Sequence, residues 1–224
     1  LTNTSLGYQA LNTNTTGNSN IAIGRSALQL NTYGSFNCAT GTDALGQNTY
    51  GSSNTADGYG ALASNTTGGV NTAVGNYALH SSTTAYYNTG IGESSLYLNT
   101  TGEDNTAIGY NAMYYNTVGN NNVAIGANAL SDNKANSYSV AIGTWAMGHA
   151  DSRITGRATY NTAIGYQALL GSNVSSNNTG QWNTATGYQS MLNNTSGSGN
   201  TATGVSSLLA NTTGSNNAVY GGNT

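Results

Sequence analysis

The apolar positions of this chain recur on a fixed step. A strand-like triplet with small and bulky residues alternating runs into a glycine, as in Asn105-Thr106-Ala107-Ile108-Gly109. A second apolar pair, Ala112-Met113, and a polar corner, Asn116-Thr117-Val118-Gly119, then follow. Gly7, Gly24, Gly41, Gly58, Gly75, Gly92, Gly109, Gly126 and Gly143 follow one another at a constant step of 17. Two steps of 22 lead to Gly165 and Gly187, and the step of 17 resumes to Gly204 and Gly221. Written from its first residue, the unit is Asn-Thr-Ala-Ile-Gly-Tyr-x-Ala-Leu-x-x-Asn-Thr-Thr-Gly-x-x. Self-similarity of this length predicts stacked turns, each too thin to bury a core alone.

Each unit offers two short segments of β character flanking the glycine, and its Asn and Gly residues suit tight turns. No segment is long enough for a helix. Alternation puts Thr106 and Ile108 on one face and Ala107 and Gly109 on the other. The bulky residues then form two aliphatic ladders. One runs through Leu6, Ile23, Val74, Ile91, Ile108, Ile125, Ile142 and Ile164; the other runs through Leu11, Leu28, Leu45, Leu62, Leu79, Leu96, Leu130, Leu169 and Leu208. Both are expected to fill the core. Burying one Ile and one Leu per turn falls short of the entropy lost in ordering the whole turn. The small Ala and Gly faces are therefore expected against other chains, so that Gly109→Val would block assembly. The unit's first residue is Asn at Asn3, Asn20, Asn37, Asn54, Asn71, Asn88, Asn105, Asn122, Asn161, Asn183, Asn200 and Asn217, with Ser139 the exception. Stacked amides at this position predict a hydrogen-bonded ladder.

Composition narrows the function classes. Asn, Thr and Gly number 35, 33 and 31 of 224 residues, and charged side chains are only 5%, with a net charge of -3. That excludes a basic nucleic-acid surface and a polybasic membrane patch. The longest apolar runs are far short of a membrane span. One cysteine, Cys38, rules out an internal disulfide framework. The chain opens at Leu1 without Met and stops within its own pattern, as expected of a processed product or a segment of a longer chain.

The segments Asn122-Val123-Ala124-Ile125-Gly126 and Ser139-Val140-Ala141-Ile142-Gly143 resemble the repeat of YadA-like head domains of trimeric autotransporter adhesins. The longer Asn-Thr-Ala-Ile-Gly-Tyr-x-Ala-Leu and Asn-Thr-Thr-Gly patterns are also similar to phage tail-fibre arrays. The adhesin repeat is typically shorter, near fourteen residues, and the extra Asn-Thr-Thr-Gly corner is atypical of it. The resemblance implies a parallel β-roll, three chains side by side, and a rod displaying binding surfaces outside the cell. Tail-fibre arrays often precede a C-terminal chaperone domain, whose removal, or truncation of the chain, would account for both ends.

Candidate chemistry is sparse. The acids Asp43, Asp57, Asp104, Asp132, Asp151, Glu93 and Glu103 and the histidines His80 and His149 are scattered over different units. No phosphate loop, metalloprotease motif or nucleophile elbow is present. No catalytic residue, metal ligand or cofactor is expected. The irregular units are more informative: residues 139–160 and 161–182 each carry about five extra residues, and loops on a rigid scaffold commonly carry binding. They hold both tryptophans and a local concentration of charge, which makes Trp145, His149, Asp151, Arg153, Arg157 and Trp182 the candidate receptor contact.

The reading is an all-β parallel solenoid or β-roll, a single repeat domain of about twelve turns over residues 1–224, expected as a rod on the order of 60 Å long at the strand spacing. Its expected role is a non-enzymatic structural and attachment segment of a phage tail fibre or secreted bacterial surface fibre. It would be extracellular and homotrimeric, bind a cell-surface glycan or protein receptor, and have no nucleic-acid partner and no membrane insertion. The alternatives are end-to-end polymerisation into an extracellular filament and a monomeric ice- or carbohydrate-binding solenoid. The Thr column supports ice binding, but Ile21, Cys38, Val123 and Val140 interrupt it. The Asn-Thr-Thr and Asn-Thr-Ser matches at Asn14, Asn65, Asn99, Asn194 and Asn211 fit glycan acceptors, and they recur because the unit does.

Overall fold

The computed structural model describes residues 2–223. The chain forms two compact units, one up to Asn105 and one from Thr106 onward. Each is a parallel β-solenoid with one three-residue strand per turn. The first holds β1 (Thr4–Leu6), β2 (Ile21–Ile23), β3 (Cys38–Thr40), β4 (Thr55–Asp57), β5 (Thr72–Val74) and β6 (Thr89–Ile91). The second holds β7 (Thr106–Ile108), β8 (Val123–Ile125), β9 (Val140–Ile142), β10 (Thr162–Ile164), β11 (Thr184–Thr186), β12 (Thr201–Thr203) and β13 (Ala218–Tyr220). Every strand pairs in parallel with its sequence neighbours inside its unit, in register one repeat apart, as in Ala56 beside Ala73 and Ala185 beside Ala202. Thirteen strands make one turn more than the twelve expected, because Ala218–Tyr220 still pairs with β12.

The facing of the strand is the reverse of the expected one. From β2 to β12 the central residue of each triplet, such as Ala22, Ala56 or Ala141, is buried, whereas Ile21, Ile23, Ile91, Ile125 and Ile164 are each more than a third exposed. The Ile and Val column therefore lies on the outer surface of the sheet. The small Ala side chains point into the coil of their own chain, because a turn this thin has no room for a larger inward residue. The second ladder does lie inside: Leu28, Leu45, Leu62, Leu79, Leu96 and Met113 are fully buried.

That second segment is not a strand. Ala61 N donates to Gly58 O at 3.3 Å, Ala63 N to Gly60 O at 3.3 Å and Asn65 N to Leu62 O at 3.1 Å, a chain of consecutive tight turns. Leu62 N donates to Ala78 O of the next turn at 3.0 Å. The geometry requires left-handed backbone at the ladder residue itself, with φ near 50° at Leu28, Leu45, Leu62 and Leu79. β-branched residues avoid this region. Among the described non-glycine residues with positive φ only Val70 is β-branched, although the chain is rich in Thr, Ile and Val. This backbone difference accounts for Leu and Met in one ladder and Ile, Val and Thr in the strands.

Two amide ladders close each turn. Asn20 Nδ2 and Asn31 Nδ2 both donate to Gly34 O at 2.9 Å, pinning the two ends of the turn to one carbonyl. Between turns, Asn37 N donates to Asn20 Oδ1 at 2.9 Å, and Asn48 Nδ2 donates to Asn31 Oδ1 at 2.7 Å. Buried amides thus satisfy one another inside the coil, where unpaired polar groups would be costly. Sites read as glycan acceptors belong to this network. Asn65, Asn99 and Asn194 are buried and donate Nδ2 to the carbonyls of Gly68, Gly102 and Gly197, which removes them as glycan acceptors.

The second ladder is broken at Ser82, whose hydroxyl is buried without a partner, as is Asn65 Oδ1. Ser82→Asn restores a donor to that oxygen and is expected to stabilise the protein by about 1 kcal/mol. Chemical denaturation should then move to a higher midpoint with an unchanged m-value.

Candidate functional site

Residues 139–182 depart from the regular turn by the five extra residues of each unit, and the second amide ladder lapses there, with Ala150 standing one repeat step after Asn133. In the first enlarged turn, Asp151 gathers the loop around its carboxylate. Its carboxylate, 2% exposed, accepts from Arg153 N at 3.1 Å, Arg153 Nε at 2.8 and 3.0 Å, Arg153 Nη2 at 2.5 Å and Arg157 Nη2 at 2.9 Å. The hydrogen bond to Asp151 holds the Arg153 guanidinium above its ordinary pKa, whereas burial pushes Arg157 below it. Both remain charged, because a guanidinium is not deprotonated in proteins. The loop rejoins the stack through Ser137 N to Arg157 O and Thr159 N to Ser137 O, each 3.0 Å. Thr159 Oγ1 lies 2.5 Å from Ser139 Oγ, which stands where the first ladder has Asn.

The second enlarged turn carries a 3-10 turn, Ser175–Asn177. Asn178 Nδ2 donates to His149 O and, at 2.9 Å, to Ser172 O, tying the two loops together. Ser175 Oγ donates to Asp132 Oδ2 at 2.5 Å, and His149 Nδ1 lies 3.2 Å from the same oxygen. Ser, His and Asp thus meet in an order unsuited to hydrolysis, because a nucleophilic serine must bond to the histidine that activates it. Here Ser175 and His149 compete for one carboxylate.

The six candidate residues occupy three places. Asp151, Arg153 and Arg157 form the ion cluster. Trp145 packs against His149 with ring centroids 5.6 Å apart, on the side that holds Asp132. Trp182 is 60% exposed and extends a surface column begun by Tyr138 and Tyr160, whose rings stack at 5.2 Å. The repeat glycines line successive corners of the coil, and the first-ladder Asn residues from Asn20 to Asn200 lie inside it. Sequence reasoning missed Asp132, Tyr138 and Tyr160. The spacing of Asp132 and His149, one repeat step, already places them on adjacent turns, whereas Ser175 and Asn178 sit in a loop that no period locates.

Between the ion cluster and His149 lies a cavity of about 30 Å³ lined by Asn133, Asn136, Met147, His149, Asp151 and Asn178. Small-molecule sites begin near about 300 Å³, so this space fits water and not a substrate. Among the described residues no three His, Cys, Asp or Glu side chains gather as a metal-binding group, and no helix is long and apolar enough to cross a membrane. In the first unit His80 stacks on Tyr97 at 5.2 Å and meets Tyr77 edge-on, and burial lowers its pKa. This aromatic cluster covers the flank of the coil around Gly60.

No protein-family model, curated protein or solved structure matches this chain. The functional reading therefore rests on the geometry above and on the composition of its surfaces.

Proposed function

We propose that this chain is a non-enzymatic structural and attachment segment of an extracellular fibre, a phage tail fibre or a bacterial surface fibre, assembled from three copies. The observation that carries this reading is the division of labour within each turn. Polar ladders close the interior, while the outer sheet surface exposes Ile21, Ile23, Ile91, Ile125 and Ile164 along with many tyrosines. An aliphatic surface column of this kind is suited to cover by another protein surface, and the repeat presents a matching column on every copy. The enlarged turns of residues 139–182 supply the side chains for attachment.

Light scattering on the purified chain, with negative-stain imaging of the same sample, tests the assembly. A discrete species of about three times 22.7 kDa is expected. Long polymers would favour a self-assembling filament. A stable monomer would overturn the trimer and bring forward an ice- or sugar-binding role for the outward Thr columns.

A further inference from the structure

We propose that the loop over residues 151–157 is a recognition site for an oxyanion, a carboxylate or phosphate carried on a surface polymer. This inference rests on the attachment role proposed above and gives its ligand a chemistry. The charge distribution is the first ground. Residues 1–105 hold one basic and five acidic side chains, net -4; residues 106–224 hold three basic and two acidic, net +1. All three of those basic residues fall between 134 and 157. Of the two acids, Asp132 already accepts from Ser175 and faces His149. Asp151 is buried beneath the arginines.

Geometry is the second ground. One carboxylate cannot neutralise two guanidiniums, so the pair keeps a net positive charge. Asp151 engages Arg153 through Nε and Nη2 and Arg157 through Nη2, which leaves the Nη1 edge of each group for another acceptor. The arginine side chains are 43% and 26% exposed. The buried carboxylate holds both guanidiniums in place, so an oxyanion meets donors that lose little freedom on binding. Lys134 stands one repeat step before Asp151, one turn away in the same column.

The surroundings are the third ground. Ile154, between the two arginines, is the most exposed large apolar side chain among the described residues. Backbone bonds from Ser137 N to Arg157 O and from Trp182 N to Thr159 O place the loop beside the exposed column Tyr138, Tyr160 and Trp182. Aromatic and aliphatic contacts next to fixed guanidiniums suit a polymer of acidic sugars better than a free ion.

Calorimetric titration of the full chain at low ionic strength tests the site, using oligogalacturonate, polyphosphate of matched length and neutral maltooligosaccharide as probes. Binding to one or both anionic polymers is expected, weakening as salt is raised, with none to the neutral sugar. Preference for oligogalacturonate identifies a uronate source, and preference for polyphosphate identifies a phosphorylated one. Arg153→Gln is expected to weaken binding at least about tenfold, and Arg25→Gln, in the first unit, to leave it unchanged. Arg153→Gln keeps the more buried Arg157 on Asp151, and its circular dichroism should match that of the parent chain. Failure of both polymers to bind, equal binding by Arg153→Gln, or equal binding of the neutral sugar overturns the proposal. The light-scattering mass is read independently, so a trimer that ignores anions would sink this inference and leave the fibre reading standing.

Discussion

Replacing Gly109 with valine should destabilise the protein by at least about 4 kcal/mol, and should do so at any protein concentration. Gly109 has φ +132°, and a Cβ built there lies 2.7 Å from Gly126 C and 2.8 Å from Gly126 O. Two costs add. A β-branched residue is strained at positive φ, and the close neighbour is backbone of the next turn, which cannot swing aside. The small residue is therefore required by the stacking of one chain on itself and not by contact with a neighbouring chain. Thr106→Val, three residues earlier on the outer surface where Val123 and Val140 already stand, should change stability by less than about 0.5 kcal/mol. Thermal melts followed by circular dichroism distinguish the two. A Gly109→Val protein that melts with the parent while losing its oligomer would restore the inter-chain explanation.

The repeat made the architecture legible. A period kept over nine glycines leaves few folds other than a solenoid, and it located the enlarged turns at residues 139–182. The facing of the strand was not legible, because alternation separates Ile108 from Ala107 without saying which is inside. The usual inference, that the larger side chain is buried, fails here. A coil closed by Asn20, Asn31 and Leu28 has only alanine-sized space left at Ala22. One signal in the sequence did bear on this. The inner ladder admits Leu and Met but neither Ile nor Val, whereas the strand triplet takes Ile, Val and Thr freely. That segregation marks a left-handed backbone position, and so marks the second segment as a series of turns. In the enlarged turns the charge concentration was visible. The burial of Asp151 under Arg153 and Arg157 was not, because a carboxylate reads as a surface group until the fold of its loop brings two guanidiniums over it.

The ladder amides make the most discriminating substitution available, Asn54→Asp, which changes one buried NH2 group to oxygen with almost no change of shape. Asn54 Nδ2 donates to Gly68 O at 2.9 Å and to Asn37 Oδ1 at 3.2 Å, and Asn54 Oδ1 accepts from Asn71 N at 3.0 Å. In the variant one oxygen keeps the accepting role and the other faces two acceptors, with a negative charge buried at the centre of the turn. A loss of about 3–5 kcal/mol is expected at neutral pH, the cost of leaving a buried charge uncompensated. Asn54→Ala should cost less, about 1–3 kcal/mol, because Gly68 O retains the donor from Asn65 Nδ2 at 3.0 Å. The pH response separates the variants further. Burial against acceptors raises the folded-state pKa of the new carboxyl above the unfolded value of about 3.9. A group raised in the folded state contributes its stability below the unfolded pKa and loses it as pH rises through the folded one. Relative to Asn54→Ala, Asn54→Asp should therefore recover as the solution is acidified from pH 7 toward pH 4. Denaturant midpoints measured across that range provide the test, and a constant difference between the two variants would mean that the position 54 side chain does not lie among acceptors inside the coil.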